Sequence, residues 1–333
     1  MTIQRDKIFT RNGEAVFIIG NGFDIDLGLP SSYSKFAESE YWPFNNIVNI
    51  PNSTPFDLNH RSLHNTLHNA ALESNWFDIE HLLTKYATLD GTYSPKHVIS
   101  SNILEDAKSD KDTFDLLCNS LSDYLKHIQT TQLNDSSVAA QVLRVIIDSR
   151  YFNHIFSFNY TNLKLLAKNI GIERDFWYTH MHGDLENGII LGIESQVEFL
   201  PPYRYLCKEY NMNYRTRFLN YALQEAKEIV IFGHSLSPID YHYFQQLFAQ
   251  QSREDMQYSD RKTITIFTRN EESKRDICDQ LRKMNNKRLD LLYGMNVFHI
   301  LRTDGSDEKE ISEFFKSIEV RSHNFKRINN IKD

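Results

Sequence analysis

Short apolar runs bounded by glycine, asparagine or histidine recur along this 333-residue chain. Most of them lack strict alternation of apolar and polar residues, which suits strands buried on both faces of a parallel sheet. Helix-like segments separate many of them, so we predict an α/β fold. It is a Rossmann-like, mostly parallel sheet with helices on both faces. The runs are Val16–Ile19, Ile155–Phe158, Phe176–Tyr178, Ile189–Leu191, Ile229–Phe232, Ile264–Phe267 and Val297–Ile300.

Residues 36–150 follow a different pattern, because their apolar residues recur at helical spacing. Examples are Leu63 and Leu67, and Val138 and Val142. We therefore predict a large all-helical insertion after the first strand. The predicted domains are an α/β domain of residues 1–35 and 151–320, the insertion at 36–150, and a polar C-terminal tail at 321–333.

Charge and composition argue against several classes of protein. The net charge is −7 and the pI about 6.0, so a generally basic surface is absent and we do not expect nucleic acid to be a partner. The three cysteines lie far apart, which argues against a disulfide framework. No apolar run approaches the roughly 20 residues that span a bilayer, and no signal peptide is recognisable. We expect a cytoplasmic protein with no membrane partner.

The first apolar run leads directly into Gly20-Asn21-Gly22-Phe23-Asp24. Two closely spaced glycines let a backbone turn sharply and approach a phosphate, whose charge suits free N–H groups at a helix start. The Rossmann fingerprint places a third glycine where this chain has Ile25. A plain tight turn therefore remains the alternative to a diphosphate-binding loop.

Polar residues also follow two later runs. Asn159 and Asn162 stand at the end of the second run, where open α/β sheets bind ligands; an amide can hold a ribose hydroxyl or orient a water. The alternative is that Thr161 or Asn162 only caps the next helix. His180 and His182 follow the third run, and one of them can act as a general base, although a single histidine at a strand end is more often structural.

The segment Gly233-His234-Ser235-Leu236-Ser237 is similar to a nucleophile elbow, but Ser237 replaces the closing glycine. We therefore do not expect a serine hydrolase; a serine here caps a helix or binds a phosphate oxygen. Histidines and Asp240 from two segments could supply metal ligands, but they lack helical His-x-x-x-His spacing. We expect no metal site.

Four strings carry a family resemblance: GNGFDIDLGLPSSYSKF, FSFNYTN, HMHG and FGHSLSPID. In this order they resemble the signatures of the bacteriophage abortive infection AbiH family, from about Val16 to Asp240. More distantly, they resemble the sirtuin-like NAD-binding fold. The resemblance implies a bacterial anti-phage protein whose substrate is NAD, with no prosthetic group.

The sirtuin-like resemblance also implies roles for particular residues. Gly20, Asn21, Gly22 and Asp24 would hold the diphosphate, Asn159 would position ribose or water, and His182 would be the catalytic base. The other nucleotide contacts that we predict are Phe23, Tyr160, Thr161, Asn162, Gly183, Gly233, His234, Ser235 and Asp240.

The chain departs from sirtuin-like motifs at two positions and lacks one module. Thr161 stands where those motifs carry an acid, and Asp24 would repel a diphosphate unless it is protonated, hydrogen-bonded or turned away. The four-cysteine zinc module of sirtuin deacylases is missing, which argues against a deacylase.

The sequence is compatible with three functions. The first is hydrolysis of NAD at the nicotinamide–ribose bond, with a phage-derived trigger and a homo-oligomer as candidate partners. The second is a non-catalytic nucleotide-binding module that senses phage. The third, which the scarcity of clustered carboxylates disfavours, is a nuclease on the same scaffold.

Overall fold

A computed structural model describes residues 15–46, 62–73, 78–88, 101–194, 198–214 and 217–329. The chain forms two compact units. The first contains Met1–Leu29, Thr131–Met181 and Arg215–Asp333, and the second contains Pro30–Thr130 and His182–Tyr214. Residues 131–150, which we expected in the helical insertion, thus belong to the first unit, and residues 182–214, which we expected in the α/β domain, belong to the second.

Eight strands are present in the described ranges. They are β1 (Ala15–Ile19), β2 (Phe152–Ser157), β3 (Tyr178–His180), β4 (Gly183–Asp184), β5 (Gly188–Ile189), β6 (Glu228–Phe232), β7 (Thr263–Thr268) and β8 (Val297–Arg302).

The same ranges contain twelve α-helices and four short 3-10 helices. The α-helices are α1 (Asn21–Asp26), α2 (Tyr33–Ala37), α3 (Leu63–Glu73), α4 (Ile79–Ala87), α5 (Ser101–Ile128), α6 (Val138–Ser149), α7 (Leu163–Asn169), α8 (Arg217–Glu225), α9 (Tyr241–Gln250), α10 (Glu271–Met284), α11 (Leu289–Met295) and α12 (Glu308–Ile328).

The first unit is built on a six-stranded sheet in the order β3-β2-β1-β6-β7-β8, and every neighbouring pair is parallel. The central strands β1 and β6 are buried over their whole length, as the apolar runs Val16–Ile19 and Ile229–Phe232 predict. Counted within this sheet alone, the order is the 3-2-1-4-5-6 of dinucleotide-binding folds. The α/β, Rossmann-like prediction is confirmed.

The strand order reverses between β1 and β6, so this pair is the switch point of the sheet. In open α/β sheets the loops that leave the carboxyl ends of the strands at a switch point form the ligand-binding crevice. The loop after β1 contains Gly20 and Gly22, and the loop after β6 contains Gly233. The topology therefore places two of the candidate motifs next to each other.

Helices α6, α7 and α12 supply apolar side chains to the core of the first unit. Val142 and Ile146 of α6 and Phe314 and Ile318 of α12 belong to one buried cluster that also contains Phe17 of β1. Burial of such side chains is the main source of the stability of the sheet.

Helix α12 extends into the segment that we expected to be a polar tail. Residues 321–328 are helical, and two of their polar side chains have partners in the first unit. Arg321 forms an ion pair with Glu228 at the start of β6, and the Ser322 hydroxyl donates to the carbonyl of Ser149 at 2.7 Å. The polar composition of this segment did not reveal that some of its polar groups are buried.

The second unit contains the helices α2 to α5 and the antiparallel hairpin β4–β5. A buried carboxylate, Asp110 on α5, accepts hydrogen bonds from Leu63 N at 2.8 Å, Tyr86 OH at 2.6 Å and Tyr203 OH at 3.1 Å. The apolar run at Ile189–Leu191 contributes to this hairpin through Ile189, and it does not join the parallel sheet.

No helix in the described part of the chain is both long enough and apolar enough to cross a bilayer.

Candidate functional site

The loops after β1 and β6 contact each other backbone to backbone. The N–H of Gly20 donates to Phe232 O at 3.0 Å, and the N–H of Gly22 donates to Gly233 O at 2.8 Å. A Cβ atom on Gly22 would lie 2.7 Å from Gly233 Cα, and one on Gly233 would lie 2.3 Å from Phe23 N. Gly233 also has a φ of +64°. Only glycine fits this approach of two main chains.

This contact changes what the glycine turn can do. The two N–H groups that we expected to face a diphosphate, those of Gly20 and Gly22, donate instead to carbonyls of the β6 segment. Phe23, another predicted nucleotide contact, is fully buried, and its ring packs against Phe17 and Phe232 at centroid distances of 6.1 and 5.4 Å. The glycine pattern correctly indicated a close approach, and in this structure a second loop makes it.

Asp24 joins the loop after β1 to the loop after β2. Its side chain is 1% exposed and accepts hydrogen bonds from Asn159 Nδ2 at 2.7 Å and from Thr161 Oγ1 at 2.8 Å. Burial raises the pKa of Asp24 to about 7, although the hydrogen bonds from Thr161 and Asn159 oppose this rise.

The two residues at which the sequence departs from sirtuin-like motifs, Asp24 and Thr161, are hydrogen-bonded to each other. The carboxylate that would repel a diphosphate is turned toward the neighbouring loop and is hydrogen-bonded there. Thr161, which stands where those motifs carry an acid, donates to the acid supplied by α1.

The side-chain amide of Asn159 has a fixed orientation. Its Nδ2 donates to Gly20 O at 3.0 Å and to Asp24 Oδ1 at 2.7 Å, so both amide hydrogens are used. Both partners are acceptors, and only the NH₂ end of the amide can satisfy them. Among the described residues no donor reaches Asn159 Oδ1. This side chain therefore offers a hydrogen-bond acceptor, and no donor, to a ligand.

His180 is linked directly to Asn159. Its Nδ1 lies 2.8 Å from the carbonyl oxygen of Asn159, and because a carbonyl only accepts, Nδ1 carries the hydrogen. His180 ends β3, where it is in register with Ser157 of β2. The sequence showed that His180 ends a strand, but it could not show which of the two nearby histidines touches Asn159.

Asn162 caps helix α7, since its Oδ1 accepts from Leu165 N at 3.1 Å. The capping alternative thus describes this residue. Tyr160, in the same loop, is buried.

His234 is a buried, neutral imidazole. Its Nδ1 accepts the N–H of Leu236 at 3.0 Å, so the hydrogen is on Nε2, which lies 3.4 Å from Asp240 Oδ2. Burial lowers the pKa of His234 to about 3, so the pair is a neutral donor facing a carboxylate and not an ion pair. Leu236 has a φ of +51°, an uncommon conformation for a bulky residue. His234 holds the loop after β6 in shape, and Ser235 beside it is exposed.

The remaining predicted residues, His182 and Gly183, belong to the second unit. His182 is buried, its carbonyl accepts the N–H of Ile190 at 2.7 Å, and its ring lies 6.2 Å from that of Tyr214. Gly183 has a φ of +77°, and a Cβ there would lie 2.3 Å from Gly188 O. The other strand of the β4–β5 hairpin makes this close approach to Gly183.

Over the described ranges, no three side chains of histidine, cysteine, aspartate or glutamate are placed to hold a metal ion together.

Comparison with known families identifies the chain. The model of the family described as bacteriophage abortive infection AbiH matches residues 16–259. The chain belongs to the AbiH family. The match includes the loops after β1, β2, β3 and β6, while β7, β8 and α12 lie beyond it. Membership of the AbiH family supports a role in bacteriophage abortive infection. No curated protein matches the chain.

Proposed function

We propose that this AbiH protein acts in abortive infection by hydrolysing NAD at the bond between nicotinamide and ribose. The observation that supports this best is the fixed amide of Asn159 at the carboxyl edge of the sheet, with its oxygen available as an acceptor. A ribose hydroxyl and a water molecule can both donate to this oxygen, and both are present in NAD hydrolysis.

In the proposed reaction, a water oxygen forms a bond to the anomeric carbon of the nicotinamide ribose. The carbon–nitrogen bond breaks, nicotinamide leaves with the electron pair, and the water gives up a proton to a base. The products are ADP-ribose, nicotinamide and a proton. Asn159 positions the ribose or the water through Oδ1, and the family resemblance assigns the role of base to His182.

The proposal does not assign the diphosphate to the N–H groups of Gly20 and Gly22, because both donate to the β6 segment. Of the diphosphate contacts that the sequence predicts, Asn21 is exposed at the start of α1. The diphosphate therefore needs contacts other than the glycine N–H groups, and Asn21 is the residue to substitute first.

A non-catalytic nucleotide-binding sensor is the second candidate. The departure at Thr161 favours it, because this residue stands where sirtuin-like motifs carry an acid, and here it donates to the buried carboxylate of Asp24. Binding of NAD without any turnover, in the presence of the activating trigger, would distinguish this sensor from an enzyme.

The experiment that tests hydrolysis measures nicotinamide and ADP-ribose released from NAD by purified protein, alone and with lysate of phage-infected cells as the source of a trigger. We expect Asn159→Ala and His182→Ala to abolish release. Asn329→Ala, which removes an exposed amide at the end of α12, should leave it unchanged. The proposal fails if NAD is never consumed and His182→Ala leaves protection against phage intact.

A further inference from the structure

The proposed reaction gives no role to the buried carboxylate of Asp24, although this carboxylate is hydrogen-bonded to Asn159. Both of its oxygens accept hydrogen bonds from side chains of the loop after β2, one from Asn159 and one from Thr161. Asp24, Asn159 and Thr161 are all buried residues, with exposures of 1%, 7% and 3%. Asp24 therefore acts on the neighbouring loop, and its carboxylate is not directed at solvent.

The two ends of an asparagine amide have opposite hydrogen-bonding character, and its partners decide which end faces outward. For Asn159 the inward partners are Gly20 O and Asp24 Oδ1. Rotating the amide by half a turn would bring its oxygen against two acceptors and lose both hydrogen bonds. A second acceptor close to the Gly20 carbonyl is what makes the inward NH₂ orientation strongly preferred.

We propose that Asp24 is a positioning residue that locks Asn159 with its amide oxygen outward, so that the site takes a ribose hydroxyl and not an anion. A phosphate oxygen is itself an acceptor, so it gains nothing from Asn159 Oδ1. Thr161 holds the second carboxylate oxygen, which keeps the first aligned with the amide. The inference rests on the proposed function in its choice of NAD as ligand.

Three variants test the hydrogen bonds by which Asp24 orients the Asn159 amide. Asp24→Ala removes one of the two inward acceptors. Asp24→Asn keeps the shape, because its oxygen can accept from Asn159 and its NH₂ can donate to the Thr161 hydroxyl. Thr161→Val removes one hydrogen bond of Asp24 and leaves both hydrogen bonds of the Asn159 amide, so it tests what the second carboxylate oxygen contributes. Asn329→Ala, which removes an exposed amide at the end of α12, is the control.

The measurement is the dissociation constant of NAD and of NAD analogues that lack the 2′- or the 3′-hydroxyl of the nicotinamide ribose, determined by calorimetry. We expect the wild type to prefer NAD over one of the analogues by about tenfold, as the loss of one hydrogen bond predicts. Asp24→Asn and Asn329→Ala should keep this ratio, Thr161→Val should lower it by less than Asp24→Ala does, and Asp24→Ala should bring it close to one.

A second readout needs no ligand. The side-chain NH₂ protons of Asn159 should exchange slowly with solvent in the wild type and in Asp24→Asn, and measurably faster in Asp24→Ala, as followed by nuclear magnetic resonance. If Asp24→Ala does not fold, Asp24→Ser replaces it, because its short hydroxyl cannot reach the amide. Fast exchange in the wild type would overturn the proposal.

The outcomes for Asp24 and for NAD hydrolysis are distinguishable. If the protein prefers NAD over an analogue that lacks a ribose hydroxyl but does not turn NAD over, the hydrolysis proposal is wrong and the role of Asp24 in orienting Asn159 is supported. Turnover of NAD with no discrimination against either analogue, or discrimination that survives Asp24→Ala, overturns the lock and leaves hydrolysis standing. If neither NAD nor the analogues bind, both proposals are wrong.

Discussion

Replacing Asp24 with asparagine should make the stability of the fold less sensitive to pH. Burial raises the pKa of this carboxyl from 3.8 to about 7, so between these pH values the native state holds a proton that the unfolded chain has lost. The free energy of unfolding therefore falls as the pH rises. The contribution of Asp24 is fully present below the unfolded pKa and is lost as the pH rises through the folded pKa.

The size of this pH dependence follows from the rise in the pKa of Asp24. Each pKa unit corresponds to about 1.4 kcal/mol, so a rise of roughly 3 units is worth about 4 kcal/mol in total. About 3 kcal/mol of this is lost between about pH 5 and pH 8. This is a large part of the roughly 5–15 kcal/mol by which domains are stable. Asparagine has no proton to lose, so the Asp24→Asn variant should not show this loss.

The assay is urea unfolding of the wild type and of Asp24→Asn at the two pH values, followed by circular dichroism. Other buried carboxyls with raised pKa values, such as Asp26, Glu80 and Glu228, contribute to both proteins alike and cancel in the comparison. Thr161→Val keeps the carboxyl and should keep the pH dependence. A difference in stability between wild type and Asp24→Asn that stays constant with pH would refute the reasoning.

Three further substitutions test the packing and the buried charges. Gly22→Ala should lower the free energy of unfolding by about 1–3 kcal/mol, because the new Cβ would lie 2.7 Å from the facing backbone of Gly233. The control is Gly294→Ala, where the new Cβ would have no atom within 4 Å; it should lower neither the free energy of unfolding nor the melting temperature. Arg321→Ala should cost about 3–5 kcal/mol in urea unfolding because it leaves Glu228 buried without its cation, and Glu228→Gln in the same chain should recover part of this. Lys208→Met should lower the free energy of unfolding by a similar amount, about 3–5 kcal/mol, because the lysine ammonium lies 2.9 Å from a Glu80 oxygen and 3.0 Å from a Glu194 oxygen. The loss should be smaller in acid, where protonated carboxyls no longer need the cation.

The sheet could be predicted from the sequence because its central strands leave a clear pattern. Strands β1 and β6 are buried on both faces, so their sequences are apolar apart from Glu228 at the start of β6. The helices between the strands require a parallel arrangement. The run at Ile189–Leu191 is apolar too, but a short run does not reveal which sheet it joins, and it forms part of a hairpin in the second unit.

The candidate site could be predicted only in part. The glycines marked places where something approaches the backbone, but the sequence cannot say whether a ligand or another loop does so, and for Gly22 the loop after β6 does. The hydrogen bond from Asn159 to Asp24 joins residues 135 positions apart. A single sequence contains no signal for such a pair, so the orientation of the amide, on which the proposed chemistry depends, becomes visible only in three dimensions.

Hydrolysis of NAD during infection can be measured in bacteria that carry this protein, by mass spectrometry of their nucleotides before and after phage infection. In cells with the wild-type protein, NAD should fall after infection, and ADP-ribose and nicotinamide should rise. Cells with Asn159→Ala expressed at the same level should show no such change. Protection against phage with a constant NAD level, or an equal fall of NAD in the Asn159→Ala cells, would show that NAD hydrolysis by this site is not the activity.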